Sequence, residues 1–243
     1  MRQVNMIELE DNDRLMCVDI TERLHMLADD DYRIFQSRLV PNVLPEKILG
    51  VRIPQLRKFA REIHGSSCAR EFIANPSHTY YDENNLHGIL IGWENDYELT
   101  LRMLNEFLPF VDNWATCDII APRIFSKYLD DLSEQIDVWL GSEHTYTVRF
   151  GVDMLIRHYT GDHLSISQLE QVAGLEAGDY YIDMAAAWYF ATVMIEHPEP
   201  VLTLFETGRL NEFVCRKAIQ KAIESYRIPD DLKAHLRLIR ERV

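Results

Sequence analysis

Glycine and proline are scarce, at 10 and 9 of 243 residues. So few turn formers argue against an all-β chain with many tight turns. Cysteine is scarcer still. Cys17, Cys68, Cys117 and Cys215 are widely scattered, with no Cys-x-x-Cys pair. Neither a zinc knuckle nor a disulfide framework is indicated, and reduced thiols in a cytoplasmic protein are the expectation. The first ten residues lack the apolar core of a signal peptide. The longest nearly apolar run, Met184 to Ile195, is too short to cross a bilayer and reads as a buried helix, so no membrane association is expected. Phosphate-loop, dinucleotide-fold, nucleophile-elbow and His-Glu-x-x-His patterns are all missing. The nine histidines form no convincing ligand pair, and His158 and His163, five apart around Gly161, read as surface residues. No metal and no cofactor is expected.

What is present is a helical signal over nearly the whole chain, without strand–helix alternation. Arg149, Asp153 and Arg157 stand at i, i+4 and i+8 with apolar residues filling the other positions. Arg52 to Ile63 divides the same way: Ile53, Leu56, Phe59, Ala60 and Ile63 share one side. Pro54 stands in the first turn, where a missing N–H costs little. Segments 96–108, 113–129, 179–196, 209–226 and 230–242 also read as helices. The strongest apolar helices begin near 86, 114, 149, 184 and 218, spaced by 28, 35, 35 and 34 residues. That is the period of a helical-pair repeat, in which neighbouring units bury a shared core; an irregular all-α globule is the alternative. The expected architecture is a single domain over residues 1–243, an all-α solenoid of about six or seven helix pairs.

Charge is uneven. The formal net charge is −14, yet residues 33–70 carry +6 and residues 209–243 carry +4. Two basic islands thus sit near the ends of an acidic body. Nucleic-acid binding needs local positive potential, because displaced counterions supply most non-specific affinity. On charge alone, Arg57, Lys58, Arg61, Lys217 and Lys221 read as solvated helix faces rather than as a binding surface.

The segment from Val111 to Pro122 is more informative. Asp112 is a candidate helix N-cap. Trp114 and Asp118, at i and i+4, project from one helix face. Asp118 lies beside Ile119, Ile120 and Ala121, and a carboxylate among apolar neighbours is paired or functional. Arg149 or Arg123 is a candidate partner for it, Arg149 is equally a candidate partner for Asp153, and Trp188 would by default be core.

The ordered series Ile48 to Lys58, Asn113-Trp114-Ala115-Thr116-Cys117-Asp118, Val148-Arg149-Phe150-Gly151, Tyr180-Tyr181 through Trp188, and Ala218 to Arg227 resembles the AlkD-type DNA alkylation-repair glycosylases, built from HEAT-like repeats. The stretch before Gly50 resembles a branch with a reduced N-terminal DNA-probing region. The resemblance covers most of the chain. It implies a curved array with a concave groove, and excision of cationic N3- or N7-alkylated purines from double-stranded DNA by a monomer. It matches the catalytic set to Asp118, Trp114, Arg149 and Trp188. The expected DNA contacts are Arg52, Arg57, Lys58 and Arg61 of the first basic island and Arg216, Lys217, Lys221 and Arg227 of the second. Two other readings stay open: a non-catalytic repeat protein that binds branched or damaged DNA, and a scaffold for protein partners.

Overall fold

Small polar residues mark where the helices begin. In the computed structural model, which describes residues 19–242, Asp19, Asp29, Ser66, Asp96, Asn113, Asp179 and Asn211 each accept a hydrogen bond from an amide in the helix that follows. These caps satisfy first-turn donors that have no partner within the helix. Among the described residues there are fourteen α-helices and no strand, only an isolated bridge between Ala28 and Val51. The chain is all-α, and its helices pack in sequence as a helical repeat does. It forms two compact units, one ending at Phe125 and the other beginning at Ser126.

The first unit holds α1 (Ile20–Met26), α2 (Asp30–Leu39), α3 (Ile53–Ile63), α4 (Ser67–Ile73), α5 (Tyr81–Ile91), α6 (Tyr97–Phe107) and α7 (Trp114–Ile119). Helix α5 is its centre and packs against α1, α3, α4, α6 and α7. A helix covered on so many sides is buried all round, and Asp82, Glu83, Asn85 and His87 are enclosed with Leu86, Ile89 and Leu90. Helix α3 presents Leu56, Phe59, Ala60 and Ile63 to this core, as the apolar stripe predicts.

The buried charge of Asp82 has a defined task. Its carboxylate accepts hydrogen bonds from the backbone N–H groups of Leu49 (2.7 Å), Gly50 (3.3 Å) and Val51 (2.7 Å). The loop ahead of α3 is thereby fixed to α5. Gly50 adopts φ of +86°, and a Cβ there would lie 2.5 Å from the Asp29 carbonyl oxygen, so only glycine fits.

The second unit holds α8 (Leu129–Leu140), α9 (Thr145–His158), α10 (Ile166–Ala173), α11 (Tyr180–Val193), α12 (Pro198–Glu206), α13 (Glu212–Glu224) and α14 (Asp230–Arg240). Helices α9, α11 and α13 form a row, each packed on the next, with α8 against α9, α12 against α11 and α14 against α13. Their starts at Thr145, Tyr180 and Glu212 are 35 and 32 residues apart, which is the repeat expected from the sequence. Close approach relies on small side chains. Ala185, Ala186, Ala187, Ala218 and Ala222 are buried, and a Cβ on Gly151 would meet Leu140 Cδ2 at 3.1 Å and Trp139 Cβ at 3.2 Å.

Three expectations are corrected. The helix expected over 113–129 stops at Ile119. Pro122 disfavours helical geometry at Ala121, and only a 3₁₀ segment, Arg123–Lys127, follows. The cap of α7 is Asn113 rather than Asp112; its side-chain oxygen reaches the Thr116 N–H at 2.8 Å. Cys68 is disulfide-bonded instead of reduced, while Cys117 and Cys215 are buried and in no disulfide.

Candidate nucleic-acid interface

Helix α7 is six residues long, too short to hold itself in place. A buried polar chain does so. Asn113 Nδ2 donates to Thr116 Oγ1 at 2.9 Å, and that hydroxyl donates to Asn85 Oδ1 of α5 at 2.8 Å. With Cys117 and Ile120 also enclosed, Trp114 and Asp118 are left half-buried on the outer face. The indole is fixed as well. Its Nε1–H donates to the Leu39 carbonyl at 2.9 Å, and its ring packs against the cluster of Val40, Val43, Ile48 and Tyr81.

In the second unit, Arg149 is buried on α9 and donates from one terminal nitrogen to the Tyr181 carbonyl of α11 at 2.9 Å. The expected candidate partner of Arg149, Asp153, pairs with Arg157 at 2.7 Å. Trp188 sits two turns beyond Tyr181 on α11 and keeps 36% exposure, although its neighbours Ala187 and Tyr189 are fully enclosed. Trp139, by contrast, is 2% exposed and packs edge-to-face on Phe150. Of the two expected cleft indoles, Trp188 is therefore not core, and Trp114 is only partly so.

The acidic residues around Arg149 are also occupied. Asp179 caps α11 through the amides of Tyr181 and Ile182 and accepts the Thr145 hydroxyl at 2.6 Å. Asp183 is buried and accepts from the Gly178 N–H and from Asn211 Nδ2, both at 3.2 Å. Hydrogen-bonded carboxylates of this kind act structurally, tying helix starts together.

A row of aromatic rings crosses the same helices and was not singled out from the sequence. Tyr146 of α9 meets Tyr181 at 5.5 Å, Tyr180 meets Phe213 of α13 at 5.9 Å, and Lys217 Nζ lies 5.9 Å from the Phe213 ring. The i, i+4 spacing of Phe213 and Lys217 was the one sequence signal for it.

The eight expected DNA-contacting cations divide by unit and by partner. Arg52 is held by Asp29 at 2.9 Å and lies over the Tyr32 ring, Arg216 pairs with Glu212 at 2.9 Å, and Arg227 approaches Glu196 at 3.5 Å. Among the described residues Arg57, Lys58, Arg61, Lys217 and Lys221 have no carboxylate partner. A cavity of about 500 Å³ lies at the turns before α9 and α11. Glu143, Glu176 and Asp179 line it with no basic residue, so its charge is wrong for a phosphate backbone. Among the described residues no group of three or more His, Cys, Asp or Glu could hold a metal ion, and no helix is long and apolar enough to cross a membrane.

A family model described as DNA alkylation repair enzyme matches residues 20–222. No curated protein and no solved structure matches the chain.

Proposed function

The chain belongs to the DNA alkylation repair enzyme family, and on that premise we propose that it is a DNA glycosylase that hydrolyses the N-glycosidic bond of cationic N3- or N7-alkylated purines. The observation that carries this reading is the placement of the family-matched side chains. Trp188 is 36% exposed between the enclosed Ala187 and Tyr189, and Trp114 and Asp118 stand half-buried on the outer face of α7. Trp139, in the same unit as Trp188, is enclosed instead, at 2% exposure.

The chemistry suits these groups. An alkylated purine already carries positive charge and leaves as a neutral base when its bond to C1′ breaks, so no strong general acid is needed. The bonding pair departs with the base, and the sugar becomes oxocarbenium-like. The Asp118 carboxylate stabilises that charge and orients a water whose oxygen bonds to C1′; the water's proton passes to the carboxylate or to solvent, leaving an abasic site. Trp114 and Trp188 contact the deoxyribose and the cationic nucleotide through their ring faces, each contributing on the order of 1 kcal/mol. Arg149, oriented by the Tyr181 carbonyl, takes a backbone phosphate. The cations without carboxylate partners supply the salt-dependent part of DNA affinity.

The test is release of 7-methylguanine from methylated duplex DNA, with Asp118→Ala as control. Release by wild type and loss in the variant supports the assignment. No release above background by wild type, at high protein and low salt, rejects it.

A further inference from the structure

Helix α2 carries a face that nothing among the described residues covers. Of its ten residues only Gln36 is buried. Contacts define the inner side. Gln36 Nε2 donates to the Tyr81 hydroxyl at 2.9 Å, and a Cβ on Gly50 would lie 2.8 Å from Arg33 Cβ. With about 3.6 residues per turn, Arg33, Gln36 and the buried Val40 that follows the helix share this side. Asp31, Ile34, Phe35 and Arg38 fall on the other side, and all four are exposed. Ile34 keeps 47% exposure and Phe35 keeps 55%, and Leu39, one turn beyond Phe35, is exposed as well. Apolar side chains grouped on one helix face form a patch and not scattered exposure.

The charges at the ends of the face select its occupant. Asp30 is taken by Arg33 within the helix at 3.1 Å, and Asp29 is taken by Arg52. Asp31 and Arg38 have no ion-pair partner among the described residues. They stand two turns apart on one face, with Ile34 and Phe35 between them. Acid, two apolar residues and base, read in the reverse direction, complement the same series. A second α2 laid antiparallel about a twofold axis sets each Asp31 opposite Arg38 of the other copy and closes the apolar pairs on each other. A parallel arrangement would set like charges side by side.

We propose that the outer face of α2 is a self-association surface, occupied by the antiparallel α2 of a second copy of this chain. The proposal does not rest on the repair function, and it goes beyond the monomer that the family resemblance implies. Area sets its strength. A helix of ten residues is about 15 Å long, so the contact covers less than the roughly 800 Å² per partner of a standard interface. The dimer is weak and depends on protein concentration.

The experiment is sedimentation velocity on the full chain, freed of nucleic acid, from about 5 to about 500 µM at low and high salt. The proteins are wild type, Asp31→Arg, Arg38→Asp, an equimolar mixture of these two, and the double swap Asp31→Arg/Arg38→Asp. Wild type is expected to dimerise, and each single reversal to weaken dimerisation roughly tenfold or more at low salt, with a smaller difference at high salt. The mixture and the double swap restore opposite charges across the twofold axis, so both should dimerise as wild type does. Their recovery also shows that the single variants fold. A wild type that stays monomeric throughout overturns the proposal. Dimerisation that ignores the reversals, or single reversals that neither mixing nor the double swap rescues, overturns it too. A protein with Phe35 replaced by the photo-crosslinker p-benzoylphenylalanine reports the occupant directly. Cross-links to α2 of another copy support the proposal, and cross-links only to residues 1–18 of the same chain give the face to that segment and overturn it.

Discussion

The indole nitrogen of Trp114 and the carbonyl of Leu39 are joined by a hydrogen bond of 2.9 Å across 75 residues of sequence. Leu39 is the last residue of α2, so its carbonyl has no acceptor role inside the helix. One bond therefore closes a helix end and fixes the indole plane. Trp114→Phe keeps a ring on the Val40, Val43, Ile48 and Tyr81 cluster but leaves that carbonyl unanswered. A stability loss of about 1 kcal/mol in urea denaturation is expected, together with a fall in 7-methylguanine release. Unchanged excision with the same stability loss would reduce Trp114 to a packing residue.

Asp82 governs the first unit more than any residue of the proposed site. Its carboxylate serves three consecutive backbone amides, Leu49 to Val51. Burial raises its pKa, while those three hydrogen bonds pull the other way. Asp82→Ala leaves three enclosed donors without an acceptor and is expected to cost about 3 kcal/mol or more. Asp82→Asn retains one good acceptor and should cost less. Denaturant midpoints for the pair check the order, and equal midpoints would mean that the loop holds without the carboxylate.

Acid should unfold the first unit partly through His87. Its ring is 1% exposed, stacks on Phe107 at 4.1 Å, and contacts His78 through a 2.7 Å hydrogen bond. Burial, with the neighbouring His78 adding to it, lowers the His87 pKa from 6.5 to about 3. The folded chain thus holds fewer protons than the unfolded chain between those values. The stabilisation from the neutral ring is complete above pH 6.5 and is lost as pH falls toward 3, on the order of 5 kcal/mol in all. His87→Phe removes the titration and should flatten stability between pH 6.5 and 4. An acid limb as steep as that of wild type would assign the loss to other groups.

These residues also mark what the sequence could reveal. Helix α3 was legible because Pro54 stands in its first turn and its apolar residues share one stripe. The row α9, α11, α13 was legible in the spacing of apolar helices. Helix α5 was legible only from Leu86 onward; its beginning was not, because Asp82, Glu83 and Asn85 look like a solvated face until five other helices cover them. In the candidate site, the Trp114 and Asp118 pair follows from i, i+4 geometry alone. The bond from Arg149 to the Tyr181 carbonyl and the ring row from Tyr146 to Phe213 depend on tertiary packing between helices over 30 residues apart, which no local pattern encodes. The end of α7 was overrun because its polar and apolar pattern continues past Ile119, while the backbone obeys Pro122.

Gly151 tests the packing of the second unit. A Cβ there meets Leu140 Cδ2 and Trp139 Cβ at 3.1 and 3.2 Å, so α8 and α9 are in contact through backbone and ring without spare room. Gly151→Ala asks these neighbours to shift by a few tenths of an ångström, set against the helix-propensity gain of about 1 kcal/mol over glycine. Gly151→Val adds further bulk and is expected to destabilise by about 1–3 kcal/mol. A valine variant as stable as wild type would show that the α8–α9 contact is loose.

Trp188 and Trp139 offer the sharpest contrast between function and packing. Both lie in the second unit, one 36% exposed and the other 2% exposed. Trp139→Ala removes a ring packed on Phe150 and should cost about 3–5 kcal/mol. Trp188→Ala removes a ring that is partly in solvent and should cost less than the Trp139 change, about 1–2 kcal/mol. If Trp188 contacts the lesion nucleotide, its removal nevertheless lowers 7-methylguanine release by roughly fivefold or more, since a lost ring contact of about 1 kcal/mol corresponds to that factor. Single-turnover excision and thermal unfolding, measured on both variants, separate the two effects. A Trp188→Ala protein that excises at the wild-type rate removes that indole from the proposed chemistry, whatever its stability.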